Sequence, residues 1–541
     1  YMKRLLVYAL AGLTLAGTSC SDFLETVPND ALSPSTTWKT EDDAAKFLIG
    51  CYDGWIDATG IFYWDCASDF GFNFHIHEGW RNIGNGSMTS SNAVANYYSF
   101  SMIRRCIDFL KRIEDVPFAN AAKKNDMIGQ VRTIRAYKYF TMNWLYGGVP
   151  IIDAYETAED ARVARASVED VKKYIYEDLD AAIPMLNAAP AASGYIARGT
   201  ALALKTRVAM FYGDWQIAKD AAKQLMDLGQ YELDADYANL FTLDGRGSKE
   251  IIASVQHDEN LYADWMVATM YNNADGGWSS MVPTQNLVDA YEMSNGLTKE
   301  EAGSGYDATH PFANRDPRMA MTILYPGMDW EGIKGNTILN TLDPTLSDGS
   351  SNPNKPDGAD NASKTCLTWA KYLTPMAQYK NVWSNASQAI LFRYAEVLLS
   401  YAEAENELNG PSAEIYGILN QVRNRVGMPN VDQAKYGSKD KLRELIRRER
   451  SVELAGEGLR RMDIIRWKDA SGKMLAETLM NGPLTRIKGT VNESESDPTK
   501  RATVSGTDLV ENRTFASHNQ YLPIPQSALD KNKALVQNPG Y

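Results

Sequence analysis

The chain has 541 residues, with 55 basic and 68 acidic side chains and a net charge of −13. That balance excludes the broad basic field that phosphate recognition needs, and with it a nucleic-acid partner. A hydrophobic content of 44% supports a large core, and length alone allows about three or four domain units.

The chain opens on Lys3 and Arg4, followed by an apolar run from Leu5 to Ala16 and the small residues Gly17-Thr18-Ser19 before Cys20. The run is shorter than the roughly 20 residues of a membrane span. A positive flank, a short apolar core and small residues describe a secretory signal over 1–19. The cysteine at the cleavage point predicts lipidation of Cys20, with 20–40 as an N-terminal tether. No second long apolar run follows. Cys51, Cys66, Cys106 and Cys366 then remain, with three possible pairings. Cys51 and Cys106 sit among apolar helical residues and read as buried thiols.

Glu41 to Trp55 reads as a first helix. Ile56 to Asn92 lacks a helical period, is rich in aromatics, Gly and Asn, and reads as surface loops. Ala93 to Ile113 and Ala121 to Leu145 read as helices, the second ending at Gly147-Gly148. From Ser167 to Leu186 the apolar set Val168, Val171, Tyr174, Ile175, Leu179, Ala182, Ile183 and Leu186 recurs at spacings of three and four. Ser167 and Asp170 form a capping box at its start. Gly199 to Gly229 reads as a helix hairpin turning at Gly213-Asp214, and small residues such as Ala201, Ala209, Ala218 and Ala222 let its helices approach. Such a pair resembles a tetratricopeptide unit. A second hairpin spans Leu391 to Val426, turning at Asn409-Gly410-Pro411. Between them, Tyr231 to Ala389 holds short alternating runs with many Gly and Pro, which suits loops and a few short strands.

Four segments carry a family resemblance: "RTIRAYKYFTMNWLYGGVPII" (Arg132 to Ile152), "LFRYAEVLLSYAEAENELNG" (Leu391 to Gly410), "LIRRERSVELAGEGLRRMDIIRWK" (Leu445 to Lys468) and the tail "YLPIPQSALDKNKALVQNPGY" (Tyr521 to Tyr541). With the "CSDFLE" start they resemble the SusD/RagB family of outer-membrane nutrient-binding lipoproteins. The leader also resembles those of surface lipoproteins in gut Gram-negative bacteria, where Ser21-Asp22 would act as an outward-export mark. The resemblance implies a mainly α fold: a tetratricopeptide-like helix-pair scaffold with a loop-rich, partly β insert bearing the ligand surface. It implies one domain over 41–541, with helical repeats about 93–229 and 389–468, an insert about 231–388 and an aromatic loop 56–92. The implied function is non-enzymatic binding of an oligosaccharide or polysaccharide at the cell surface and delivery to a SusC-like TonB-dependent outer-membrane transporter, without a cofactor. Alternatives are a peptide-binding RagB-type member, an all-helical glycoside hydrolase and a purely structural lipoprotein.

Glu396, Ser400, Glu403 and Glu407 fall on one helix face and Glu449, Glu453 and Glu457 on another, with Arg393, Arg447, Arg450 and Arg460 close by in sequence. This pattern reads as an Arg–Glu lattice between packed helices, which sets register more than it adds stability. No nucleophile elbow, zinc helix or phosphate loop is present. His75, His77 and Glu78 lack an identifiable fourth ligand for a metal. Asp343, Asp348, Asp357 and Asp360 suggest calcium by composition, but their spacing does not fit an EF-hand.

The loop aromatics are more informative. A Trp or Tyr face suits the C–H side of a sugar ring, and Asp, Asn and Arg suit its hydroxyl rim. Each aromatic has a second use, as a plug for the core beneath its loop. The expected platform is Trp80 with Arg81 and Asn82, Trp64 with Asp65, then Trp278, with Trp330, Tyr379 and Trp383 as further candidates.

Overall fold

The computed structural model describes residues 37–93, 96–332, 335–373, 378–379 and 381–541. Cys20, the leader and most of the tether lie outside the described residues. Helix accounts for 44% and strand for 12%, so the fold is mainly α.

The scaffold is built from antiparallel helix pairs. Helix α1 (Glu41–Tyr52) packs on α2 (Ser101–Ile113) and on the long α3 (Ala121–Tyr146). Helix α4 (Val168–Met185) lies along α3, and α5 (Arg198–Tyr212) turns into α6 (Trp215–Asp227). Helix α6 in turn packs against α7 (Tyr394–Asn409), which is followed by α8 (Ala413–Asn424) and α9 (Lys439–Glu453). The short α10 (Arg460–Arg466) closes the set.

Local chemistry explains these boundaries. The Ser167 hydroxyl accepts the Asp170 N–H at 3.0 Å and starts α4, whose buried stripe is Val171, Ile175, Asp178, Leu179 and Ala182. Asp178 is tolerated in that stripe because Arg135 donates to both its oxygens at 2.7 Å. At the α5–α6 turn Gly213 has φ 74°; its N–H and that of Asp214 cap the carbonyls of Met210 and Ala209. The buried alanines Ala201, Ala209, Ala218 and Ala222 line the seams.

The strands are short and paired in twos. β1 (Gly71–Asn73) pairs with β3 (Met281–Pro283), and β2 (Ile251–Val255) with β8 (Ala389–Arg393). β4 (Ile323–Leu324) pairs with β7 (Thr368–Trp369), and β5 (Asp329–Gly332) with β6 (Gly335–Ile338). The longest pair is the hairpin of β9 (Gly482–Val491) and β10 (Ala502–Arg513), bent by two register shifts. The sequence reading has no counterpart for that hairpin.

Three segment readings are corrected. Residues 96–100 are non-helical, and α2 begins only at Ser101. The first helix stops at Tyr52. The region 56–92 is not a surface loop: residues 61–73 are buried, and short helices form at Thr59–Phe62 and Trp80–Asn85. So many large aromatics contribute too much apolar area to remain in water.

The charge lattice is present and buried. Arg393 donates to Glu250, Glu453 and Glu457, each at 2.8–2.9 Å. Arg318 joins Asp316, Glu449 and Glu453, and Arg423 joins Glu292 and Glu449. Glu396 is held by Arg207, Glu403 by Arg466 and Glu407 by Arg443. Arg450 reaches Ser400 and Asp463, and Arg460 reaches Asp69. Arg447 departs from the expectation: it donates to the Lys468 carbonyl and lies over the Trp467 ring. Cys51, Cys66, Cys106 and Cys366 are free and buried.

Candidate functional site

The two leading aromatics point inward. Trp80 is 3% exposed and Trp64 4%. Gly79, at φ 86°, turns the chain into the helix Trp80–Asn85, and the Trp80 ring enters the core edge-on to Trp64, centroids 4.6 Å apart. Trp64 also meets Trp144 at 5.1 Å. Neither ring is a free stacking face. Asp65 is fully buried and accepts the Gly456 N–H at 2.6 Å and the Arg460 N–H at 3.4 Å. Burial raises its pKa from 3.8 to about 7, although those backbone donors pull the other way. Arg81 donates to Glu511 on β10 at 3.0 Å and to the Phe74 carbonyl at 3.2 Å, and Asn82 accepts from Ser87. The Arg81–Glu511 contact ties the helix to the hairpin.

Two further candidates pack near Tyr271. The Trp330 indole N–H donates to Asp275 at 2.7 Å, and its half-buried ring lies 5.9 Å from Tyr271. Tyr379 is 9% exposed and also neighbours Tyr271, at 6.5 Å.

Trp278 and Trp383 are different. They are 41% and 36% exposed, and their rings meet at 4.7 Å with an interplanar angle of 56°. Both stand on hydrogen-bonded turns. Around Trp278, the N–H groups of Trp278, Ser279 and Ser280 donate to the carbonyls of Ala268, Tyr271 and Thr269 at 3.2, 3.0 and 2.8 Å. A Cβ on Gly277 would lie 2.2 Å from the Tyr271 carbonyl oxygen, so only glycine permits that approach. Trp383 donates its N–H to Asn381 Oδ1 at 2.9 Å. The next residues pair backbone to backbone, Asp264 with Asn385.

That pairing brings in residues the sequence reading missed. Trp265 is 48% exposed and Tyr262 57%, on the turn that contacts the Trp383 segment through Asp264 and through Glu259, whose carbonyl accepts from Ser384. Tyr262 stacks on His257 at 5.1 Å. The aromatic loop reaches this face through His75, whose Nε2 lies 3.4 Å from the Trp278 carbonyl, beside exposed Ile76. The signal was available: "LYADW" (Leu261 to Trp265) sets two aromatics and a leucine beside the turn residues Asp258 to Asn260.

Among the described residues no group of three His, Cys, Asp or Glu side chains is placed to hold a metal. Glu78 accepts from Asn73, Asp343 from Asn340 and Val491, and Asp357 lies 3.7 Å from Arg486. The lattice carboxylates Glu396, Glu403, Glu449, Glu453 and Glu457 are buried and held by arginines. The exposed face offers aromatic rings edged by polar groups, which is the chemistry of stacking and hydrogen bonding.

Comparison with known proteins agrees with this architecture. Residues 249–541 match the model of the SusD family. Residues 22–212 match a second SusD-like model, described as starch-binding associating with outer membrane. A SusD-like protein of Formosa agariphila is 26% identical over 483 residues, covering 84% of this chain and 89% of the relative. A crystal structure titled as a SusD-like carbohydrate binding protein from Bacteroides fragilis superposes with TM-score 0.78 at 29% identity, covering 93% of this chain and 100% of that one. A second SusD-like protein from Bacteroides fragilis gives TM-score 0.77 at 25% identity, covering 93% and 98%. With one family model matched over more than half its length, the chain belongs to the SusD family.

Proposed function

We propose that this protein captures an oligosaccharide or polysaccharide at the cell surface, without cleaving it, and delivers it to a SusC-like TonB-dependent outer-membrane transporter. The observation that carries the reading is the exposed Trp278–Trp383 pair, held on two hydrogen-bonded turns. Two ring faces at an angle suit a curved or helical chain of sugars, with Trp265 and Tyr262 extending the same surface. The outer-membrane description of the matched family and the carbohydrate-binding title of the Bacteroides fragilis relative support it. Anchoring would be through lipid on Cys20, with the domain facing the cell exterior. No metal or cofactor is needed for stacking.

The test is a binding screen of the soluble domain against polysaccharides and peptides by affinity electrophoresis and calorimetry, with product analysis for release of small sugars. Retention by at least one glycan, lost in the Trp278→Ala/Trp383→Ala double variant, supports capture. Binding of peptides alone supports the RagB-type alternative, and release of products supports a hydrolase.

A further inference from the structure

A concave site opens between the segment that follows α1, the C-terminal half of α3 and the residues before α10. It has a volume of about 90 Å³, room for roughly six to nine waters and for one sugar ring, not two. Gly54 and Asp57 stand exposed at its mouth, and half-buried Trp55 and Tyr137 form one wall, their rings 5.3 Å apart. Trp64 also lines the pocket.

Most of the charge around this pocket is already paired. Arg207 donates to both oxygens of Glu396 at 2.8 and 2.7 Å and to the Leu391 carbonyl. Glu457 is held by Arg393 and Lys371. Two groups differ. The Lys138 ammonium has a 3.5 Å contact to the Trp55 carbonyl, and no carboxylate of the described residues forms an ion pair with it. Asp57 accepts the Gly60 N–H on Oδ1 at 2.7 Å, and Oδ2 has no donor among the described residues. Burial lowers the Lys138 pKa and the charge of Asp57 offsets part of that, so the ammonium sits where water is scarce and a hydrogen-bond acceptor is wanting.

We infer that this pocket is a subsite for a single neutral sugar ring, a chain end or a side branch, with Lys138 donating to a ring hydroxyl oxygen, Asp57 accepting a hydroxyl proton and Trp55 covering the C–H face. The inference rests on the glycan-capture reading above and adds to it a second point of recognition. One cation and one anion lining the same pocket match a ring whose hydroxyls both accept and donate. An anionic ligand would face Asp57 and a cationic one Lys138.

Saturation-transfer NMR of the soluble domain with glucose, galactose, mannose, xylose and N-acetylglucosamine is the test, repeated with Lys138→Met and Asp57→Asn. At least one sugar is expected to give signal. Loss of a charge-assisted hydrogen bond should weaken it about tenfold or more in each variant. Asp57 is exposed, so Asp57→Asn keeps the test open if Lys138→Met fails to fold. No signal from any of the five sugars, or signal that both variants leave unchanged, overturns the subsite. Long-glycan binding by Trp278→Ala, measured alongside, separates the two readings. Long-glycan loss with unchanged single-sugar signal in the pocket variants overturns the pocket alone. Single-sugar loss in those variants supports the pocket even where Trp278→Ala binds long glycans normally.

Discussion

The ring of Trp80 meets that of Trp64 edge-on inside the core, with centroids 4.6 Å apart. A residue that packs this way acts on stability. Trp80→Ala is expected to cost about 3–5 kcal/mol, the range for truncating a buried aromatic. Chemical denaturation should show that loss, while glycan affinity of the folded fraction stays near wild type. A Trp80→Ala protein that unfolds like wild type but fails to bind would return Trp80 to the ligand face.

The opposite pattern is expected for the exposed pair. Trp278→Ala and Trp383→Ala should each weaken glycan binding by about 1 kcal/mol, by analogy with aromatic pairs, which is roughly fivefold. Because the rings touch, the double variant should depart from the sum of the singles. Calorimetry of the four proteins measures that coupling, and thermal melts should differ little, since both rings are partly exposed already.

Asp65 makes a pH prediction. Its folded pKa, about 7, lies above the ordinary 3.8. The folded state therefore binds the proton more tightly, and the resulting stability is fully present below pH 3.8 and is lost as pH rises through 7. Over that window the loss approaches about 4 kcal/mol, from the 1.36 kcal/mol that each pKa unit represents. Asp65→Asn cannot ionise. The stability of the variant relative to wild type should rise between pH 4 and 7.5, as read from urea midpoints. A constant difference across that range would show that Asp65 does not titrate there.

The lattice predicts behaviour in acid and on mutation. Glu403 is buried, which alone would raise its pKa, but Arg466 on both its oxygens brings it down to about 2 from 4.5. That stability is present above pH 4.5 and is lost as pH falls towards 2. Glu453→Gln leaves Arg393, Arg318 and Arg425 short of a counter-charge, and breaking such a buried pair costs about 3–5 kcal/mol. Melting temperature should drop, while glycan binding below the new transition should be retained. Unchanged melting would mean the lattice does not carry the packing of α7 and α9.

The helical scaffold was legible because its determinants are local. The period of Val171, Ile175, Leu179 and Ala182, the Ser167 cap and the glycine turn at Gly213 are all encoded within a few residues of where they act. The Glu and Arg spacings likewise announced a lattice, although Glu250, Glu292 and Arg318, which complete it, come from the insert and carry no local signal.

The exposed aromatic surface was legible in kind and not in address. A sequence states that aromatics are abundant on segments without helical period; it does not state which side of each segment faces water. For Trp80 and Trp64 the answer was the core, because Gly79 and the packing of Trp80–Asn85 on residues 63–67 turn both rings inward. For Trp278 and Trp383 it was solvent, because the Asp264–Asn385 pairing and the close approach at Gly277 fix two distant turns side by side. Periodic burial and capping depend on neighbours in the chain, so the sequence by itself determined the helix pairs and the family. The meeting of two exposed rings depends on contacts between remote segments, and only the tertiary structure decided it.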